Sequence, residues 1–389
     1  MDLYKKIKLP PMLEESRAMG VYPYFHELQS RQDTTVIMEG KRRIMLGSNN
    51  YLGLTVNEEV IEAAKAALDR YGTGCSGSRF LNGTLELHVE LEKQLADFVG
   101  KEAAITTSTG FQTNLAAISS LVGPHDYVVC DMENHASIYD GCKLSYGKML
   151  RYKHSDMADL EKKLKEIPDE AGILIVTDGV FSMSGDLARL PEIVELAEKY
   201  DARIMVDDAH GLGVIGEGGR GTASHFGLTD KVDIIMGTFS KSFASLGGFI
   251  GADAAILDYF RHTARPFIFS ASIPPSSAAA TLAALKIIRE HPELPARLLQ
   301  LADYMRNGLK KRGVPIRESN TPIIPIYTYD AMRTLAVNRR LYDEGVYVNC
   351  VLPPATAPDE CLLRTSLMAS HTEELLDEAM DIIARVVKE

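Results

Sequence analysis

The sequence predicts an α/β fold: a large domain built on a mostly parallel sheet, followed by a small α+β domain. Three observations carry that expectation. Short apolar runs alternate with amphipathic stretches through the middle of the chain, two polar motifs follow such runs directly, and the alternation stops after Pro274-Pro275. Short apolar runs bounded by turns are what strands buried on both faces look like, and the helices between them supply the crossovers of a parallel sheet. With 389 residues, 46% of them hydrophobic and 24% charged, the chain can bury a large core and divides into more than one unit.

The elements follow in order. Residues 1–50 read as an N-terminal segment, a charged, proline-containing leader ending in a short strand at Ile44-Met45-Leu46 and the polar turn Gly47-Ser48-Asn49-Asn50. Residues 51–280 read as the large domain. Asn57 caps its first helix, which carries Val60, Ala63, Ala64, Ala67, Leu68 and Tyr71 on one face and stops at Gly72. A second helix is expected at about 85–98, then strands at 104–106, 127–130, 173–176, 204–206, 234–236 and 249–250, with helices such as 157–167 and 191–200 between several of them. Residues 281–389 read as the small domain. A long helix at about 276–290 leads into it, followed by a strand at 323–327 and then strand, strand and helix.

Composition excludes several functions. A net charge of −11 leaves no basic stripe for a phosphate backbone, so no nucleic-acid partner is expected. No apolar run is long enough to span a bilayer, and the first residues lack the apolar stretch of a signal peptide. Cys75, Cys130, Cys142, Cys350 and Cys361 are odd in number and without CxxC spacing, which reads as reduced thiols in a cytoplasmic protein with no metal site. Gly72-Thr73-Gly74-Cys75-Ser76-Gly77 matches GxGxxG literally, but a helix precedes it where the dinucleotide fingerprint needs a strand.

The informative motifs are Asp207-Asp208-Ala209-His210, after Ile204-Met205-Val206, and Thr238-Phe239-Ser240-Lys241, after Ile234-Ile235-Met236-Gly237. Carboxyl ends of parallel strands are where α/β folds bind ligands. A carboxylate and a lysine there are what pyridoxal phosphate needs, one to keep the pyridine nitrogen protonated and one to form a Schiff base with the aldehyde. Thr109-Gly110-Phe111-Gln112-Thr113-Asn114 opens a helix, and free N–H groups at a helix start suit a phosphate. Arg364 lies inside an apolar strand and needs an anion, either a substrate carboxylate or a structural ion pair. His135 also follows a strand, but spacing alone does not single it out from a surface or packed histidine; Ser182 follows a strand too and reads otherwise as a turn residue.

Taken with Ser48-Asn49-Asn50-Tyr51-Leu52-Gly53, Asn134-His135-Ala136-Ser137, Gly179-Val180-Phe181-Ser182-Met183 and Gly247-Gly248, these motifs resemble the α-oxoamine synthases, fold-type I pyridoxal phosphate enzymes, essentially end to end. The resemblance implies a seven-stranded sheet and a homodimer with its sites at the interface. The implied reaction is the decarboxylative condensation of an amino acid with an acyl thioester, carried on coenzyme A or acyl carrier protein. It also implies residue roles. Lys241 would hold the cofactor and move protons, Asp207 would pair with the pyridine nitrogen, and His135 would stack on the ring. His210 and Ser182 would contact its phenolic oxygen. Gly110, Phe111 and Thr238 would serve the phosphate, with Ser270 of the partner subunit, while Asn50 and Arg364 would orient the substrate carboxylate. Within the family, Met19–Phe25, Ser78–Thr84, Gly237–Ser245 and Phe267–Ser272 resemble bacterial members that join serine to a palmitoyl thioester. Alanine with a pimeloyl thioester, and glycine with acetyl-CoA, are the alternatives. Many members carry glutamate where this chain has Asp208.

Overall fold

The computed structural model describes residues 2–389. Its strands are β1 (Thr35–Met38), β2 (Lys41–Met45), β3 (Ala103–Thr107), β4 (Tyr127–Asp131), β5 (Lys148–Tyr152), β6 (Ile173–Asp178), β7 (Arg203–Asp207), β8 (Ile234–Thr238), β9 (Gly248–Ala252), β10 (Ile323–Tyr329), β11 (Val346–Tyr347), β12 (Asn349–Val351) and β13 (Cys361–Ser366). Seven of them form the central sheet, in the order β3-β9-β8-β7-β6-β4-β5. From β8 to β5 the neighbours are parallel, while β9 runs antiparallel to both β3 and β8.

All six strands expected in this sheet are present. The seventh, β5, carries Lys148 and Arg151 and forms an outer edge of the sheet. Charge on an edge strand discourages pairing with a second molecule, and it also hides the strand from a search for apolar runs. In the inner strands, side chains alternate between two apolar layers. Val128 and Cys130 join Ile105, Met205 and Ile250 on one face. Val129 joins Ile175, Ile204, Val206 and Phe249 on the other. Helices Gly110–Leu121 and Ala136–Leu144 cover the first layer through Ile118 and Ile138. Helices Glu86–Val99 and Leu190–Lys199 cover the second through Leu91, Leu95, Phe98 and Ile193. Burial on both faces is why these strands are apolar throughout.

The first expected helix spans Glu58–Tyr71; the Asn57 side chain accepts from the N–H groups of Glu59 and Val60, and Gly72 ends it at φ 77°. Left-handed backbone there suits glycine. In the C-terminal region β10, β13 and β12 form an antiparallel sheet. β11 leaves that sheet and pairs in parallel with β2, completing the sheet β1-β2-β11. The expected segment 1–50 is therefore hydrogen-bonded to a strand of the expected domain 281–389. The helix Pro275–Glu290 packs on Glu58–Tyr71, in the expected domain 51–280. This closure brings β13 and the turn after β2 over the carboxyl ends of β6 and β7.

Candidate active site

A cavity of about 300 Å³ lies where β4, β6, β7 and β8 end. It is lined by Gly110, Phe111, His135, Asp207, His210, Thr238 and Lys241, and also by Asn114, Ser137 and Asp178. A larger hollow of about 540 Å³ lies at the opposite edge of the sheet, near Tyr127, Ile173, Arg203 and Ile234, but it offers neither lysine nor histidine. Chemistry, not volume, selects the first.

Asp207 ends β7 and is buried; its Oδ2 accepts from Asn114 Nδ2 at 2.7 Å and its Oδ1 from Ala209 N–H at 3.1 Å. Neither partner neutralises it. Asp178 sits beside it in the β6–β7 register, and burial together with Asp207 pushes the Asp178 carboxyl well above the usual range. Two adjacent buried carboxyls thus favour a proton on Asp178. Lys241 follows β8, and its Nζ has no hydrogen-bond partner among the described residues. Burial pulls its pKa down to about 8, against the pull of Asp207 and Asp178. An amine without a partner and near neutrality is a nucleophile and a proton carrier.

A hydrogen-bonded chain fixes His135. Asn114 Nδ2 donates to Ser137 Oγ at 2.8 Å, and that hydroxyl lies 2.7 Å from His135 Nδ1. Ser137 N–H also points at Nδ1, at 3.3 Å, which makes Nδ1 the acceptor and places the ring proton on Nε2. Burial keeps this imidazole below its ordinary pKa. Phe111 meets it edge-on, with ring centroids 6.3 Å apart.

On the far side of the cavity, His210 Nδ1 is 2.7 Å from the Tyr51 hydroxyl. That hydroxyl also accepts from Arg364 Nη2 at 3.3 Å and lies 3.5 Å from Asn49 Oδ1, so it joins His210, Arg364 and Asn49. Burial first, then the Lys241 and Arg364 charges, hold His210 neutral. Arg364 itself is buried on β13, and its hydrogen-bond partners are all neutral: the Ser182 carbonyl, Asn49 Oδ1 at 3.0 Å and Tyr51. A buried guanidinium without a carboxylate is a site awaiting an anion.

The pyridoxal phosphate expected here fits these residues. Thr109 caps the helix Gly110–Leu121 and accepts from Gln112 N–H at 3.1 Å, and Gly110 and Phe111, in its first turn, line the cavity. A Cβ on Gly110 would lie 2.6 Å from Thr238 Oγ1, so only glycine lets the helix start close on β8. Free N–H groups at that start form a cradle for a phosphate. Opposite them stand Asp207, suited to a ring nitrogen, and Lys241, suited to an aldehyde.

Of the expected site residues, Asn50, Ser182 and Arg364 do not line the cavity, and Ser270 is expected to reach it from a partner subunit. Asn50 is turned away from the cavity and donates to Thr55 Oγ1 at 2.7 Å and to the Gln32 carbonyl at 3.3 Å; Asn49 is the asparagine that meets Arg364. Ser182 does not line the cavity and meets Arg364 through its carbonyl. Ser270 accepts from Gln112 Nε2, in a small crevice beside Arg79 and Thr106. Conversely, Asp178, Asn114 and Tyr51 were not anticipated. Asp178 ends a strand as Asp207 does, and Asn114 lies one turn after Gly110, so both carried a signal. Tyr51 carried none.

The aminotransferase class I and II family profile matches residues 41–383. A serine palmitoyltransferase of Sphingobacterium spiritivorum is 53% identical over 97% of this chain and 95% of its own length. One of Bacteroides thetaiotaomicron is 52% identical over 99% and 98%. An 8-amino-7-oxononanoate synthase of Fervidobacterium nodosum is 44% identical over 97% and 96%. A high-resolution structure of SPT with PLP internal aldimine superposes with a TM-score of 0.97 at 36% identity, covering 100% of this chain and 99% of that one.

Proposed function

Because this chain belongs to the aminotransferase class I and II family, we propose that it is a pyridoxal phosphate enzyme that condenses L-serine with palmitoyl-CoA, releasing coenzyme A and carbon dioxide and leaving 3-ketodihydrosphingosine. The observation that carries the substrate choice is near-full-length identity of 51–53% to three serine palmitoyltransferases, against 44% to the oxononanoate synthase.

In this reading Asp207 would pair with the ring nitrogen and His135 would stack on the ring. His210, held neutral by burial, would meet the phenolic oxygen. The helix start at Gly110 and Phe111, with Thr238, receives the phosphate. Bound there, the cofactor supplies an electron sink for charge that develops at the serine Cα. Arg364, helped by Asn49, holds the serine carboxylate and so fixes which Cα bond stands over the ring. Lys241 removes the Cα proton. The Cα electron pair then attacks the thioester carbonyl and the C–S bond breaks, releasing a thiolate that takes its proton from solvent. Loss of carbon dioxide returns an electron pair to Cα, where Lys241 delivers the proton back. The neutral partners of Arg364 leave its charge free for this purpose, whereas a structural ion pair would have consumed it.

A homodimer is part of the proposal, with Ser270 of the partner subunit reaching the phosphate. Phe269, next to Ser270, is 78% exposed, and Leu81 is 76% exposed; large apolar side chains so exposed favour burial against a second copy. Five cysteines without a disulfide favour a reducing, cytoplasmic location, and no helix among the described residues is long and apolar enough to cross a membrane.

Thiol release by the purified, cofactor-loaded protein tests the function, with serine, alanine and glycine each set against palmitoyl-, pimeloyl- and acetyl-CoA. Release confined to serine with palmitoyl-CoA is expected. A best signal from alanine with pimeloyl-CoA would replace the substrates and leave the chemistry standing. An acyl chain accepted only from acyl carrier protein would move the donor alone.

A further inference from the structure

His154 lies outside the cavity, just after β5, between two carboxylates. Its Nδ1 is 3.0 Å from Asp131 Oδ1 and its Nε2 2.9 Å from Asp186 Oδ2, with Glu133 Oε2 at 3.6 Å. A neutral imidazole has one N–H, so both contacts are attractive only when the ring carries both protons. Burial opposes that charge, but the hydrogen bonds to Asp131 and Asp186 prevail and carry its pKa to about 10. Arg317 is the further charge near this cluster, acting on Glu133 and Asp186. The cluster joins two loops. Asp131 ends β4 and is 1% exposed; its Oδ1 accepts Glu133 N–H at 2.8 Å and its Oδ2 accepts Ser155 N–H at 2.9 Å. Asp186 closes the turn after β6, where Phe181 N–H donates to the Asp186 carbonyl at 3.0 Å and Gly185 N–H to the Phe181 carbonyl at 2.9 Å. The Phe181 ring meets His154 edge-on at 4.5 Å. That same turn presents the Ser182 carbonyl to Arg364 Nε.

Arg364 Nε is thus aimed by a main-chain carbonyl, beside the Asn49 and Tyr51 contacts of Nη2, and that part of its aim is only as fixed as the turn that carries the carbonyl. We infer that His154 is a positioning residue for the amino-acid substrate: paired with Asp131 and Asp186, it pins the 181–186 turn to the end of β4 and so holds Arg364 ready for the substrate carboxylate. The inference rests on the proposed role of Arg364.

The experiment compares His154→Gln, Asp186→Asn and Arg364→Lys as purified, cofactor-loaded proteins. Serine affinity is read by titration calorimetry, with KM for serine and for palmitoyl-CoA, kcat, and cofactor affinity measured beside it. Gln at 154 can donate to one carboxylate but turns an oxygen toward the other. His154→Gln is expected to weaken serine binding about tenfold, the cost of roughly one well-formed charged hydrogen bond, with KM for palmitoyl-CoA, kcat and cofactor affinity within about twofold. Asp186→Asn removes one of the two charges and should shift serine binding in the same direction by less; it also serves if His154→Gln does not fold. Unchanged serine affinity in both variants, while Arg364→Lys weakens it, would overturn the inference and leave the role of Arg364 intact. So would an equal loss across serine, thioester and cofactor, which marks general loosening. If Arg364→Lys leaves serine affinity unchanged, the carboxylate role falls and the inference falls with it.

Discussion

The wall of the cavity that carries Asp207, Asp178 and Lys241 is built on adjacent strands of one sheet. The far side, where Tyr51 links the lining residue His210 to Arg364 behind it, is assembled from the turn after β2, the turn after β6 and β13, with Asn49 and Arg364 separated by 315 residues. The first wall places its groups by strand register, which is rigid and repeats at every strand end. The second depends on single hydrogen bonds between segments that share no ladder with the central sheet. Each wall suits its task. On the proposed roles, a cofactor that stays bound gains from a fixed floor, whereas a substrate carboxylate that arrives and leaves at every turnover needs one aimed charge. In both walls the decisive charge is left without an opposite partner. Asp207 is held by an amide and a main-chain N–H, and Arg364 by two side-chain oxygens and a carbonyl.

Perturbing the two walls should therefore give unlike results. The largest effect is expected from Lys241→Ala, which removes both nucleophile and proton carrier. Thiol release should fall by at least about 10⁴-fold while circular dichroism shows a folded protein, and near-normal turnover would remove the core of the proposal. Asp207→Asn keeps the shape but deletes the charge. Turnover should drop about 10²–10³-fold with little change in serine affinity, the scale seen when one aimed electrostatic group is lost. Arg364→Lys acts on the other wall, keeping charge but losing the fork, and kcat/KM for serine should fall about tenfold or more with cofactor affinity unchanged. A comparable loss of cofactor affinity in that variant would show that the walls are not independent. Gly110→Ala must push Thr238 aside, and equilibrium dialysis should show cofactor affinity weakened about tenfold, the equivalent of one lost hydrogen bond to phosphate.

The smallest effect is on stability. The His154 pKa in the folded chain, about 10, stands above its ordinary value of 6.5, so the cluster stabilises fully below pH 6.5 and its contribution fades as pH rises to about 10. The difference in Tm between wild type and His154→Gln should accordingly be largest near pH 6 and shrink by pH 10. A difference that grows with pH would show that His154 is neutral in the folded protein.

The same contrast explains what the sequence revealed. Asp207 and Lys241 stand directly after apolar runs, and a residue at a strand end is placed by local pattern alone. The helix start at Gly110 is legible for the same reason. β5 was missed because Lys148 and Arg151 break its apolar pattern at the sheet edge. The substrate wall was legible only as an anomaly, an arginine inside an apolar strand. Which asparagine it meets depends on how the turn after β2 lies over β13, and Asn49 and Asn50 differ by one residue on a turn whose path no local pattern fixes. Tyr51 reads as one more aromatic in a core, yet its hydroxyl links Arg364 to His210. That link exists only after the two ends of the chain have met.

The parallel pairing of β2 with β11 gives that meeting a direction in time. Gly47 accepts from Asn349, 302 residues further along the chain. On a ribosome adding about 5–20 residues per second, the N-terminal hairpin waits roughly 15–60 s for its partner strand to be made. The central sheet lies wholly between them and is complete by Ala252. A nascent chain therefore owns Asp207 and Lys241 well before it owns a placed Arg364, and on the proposed role of Arg364 it acquires the means to hold an amino acid last.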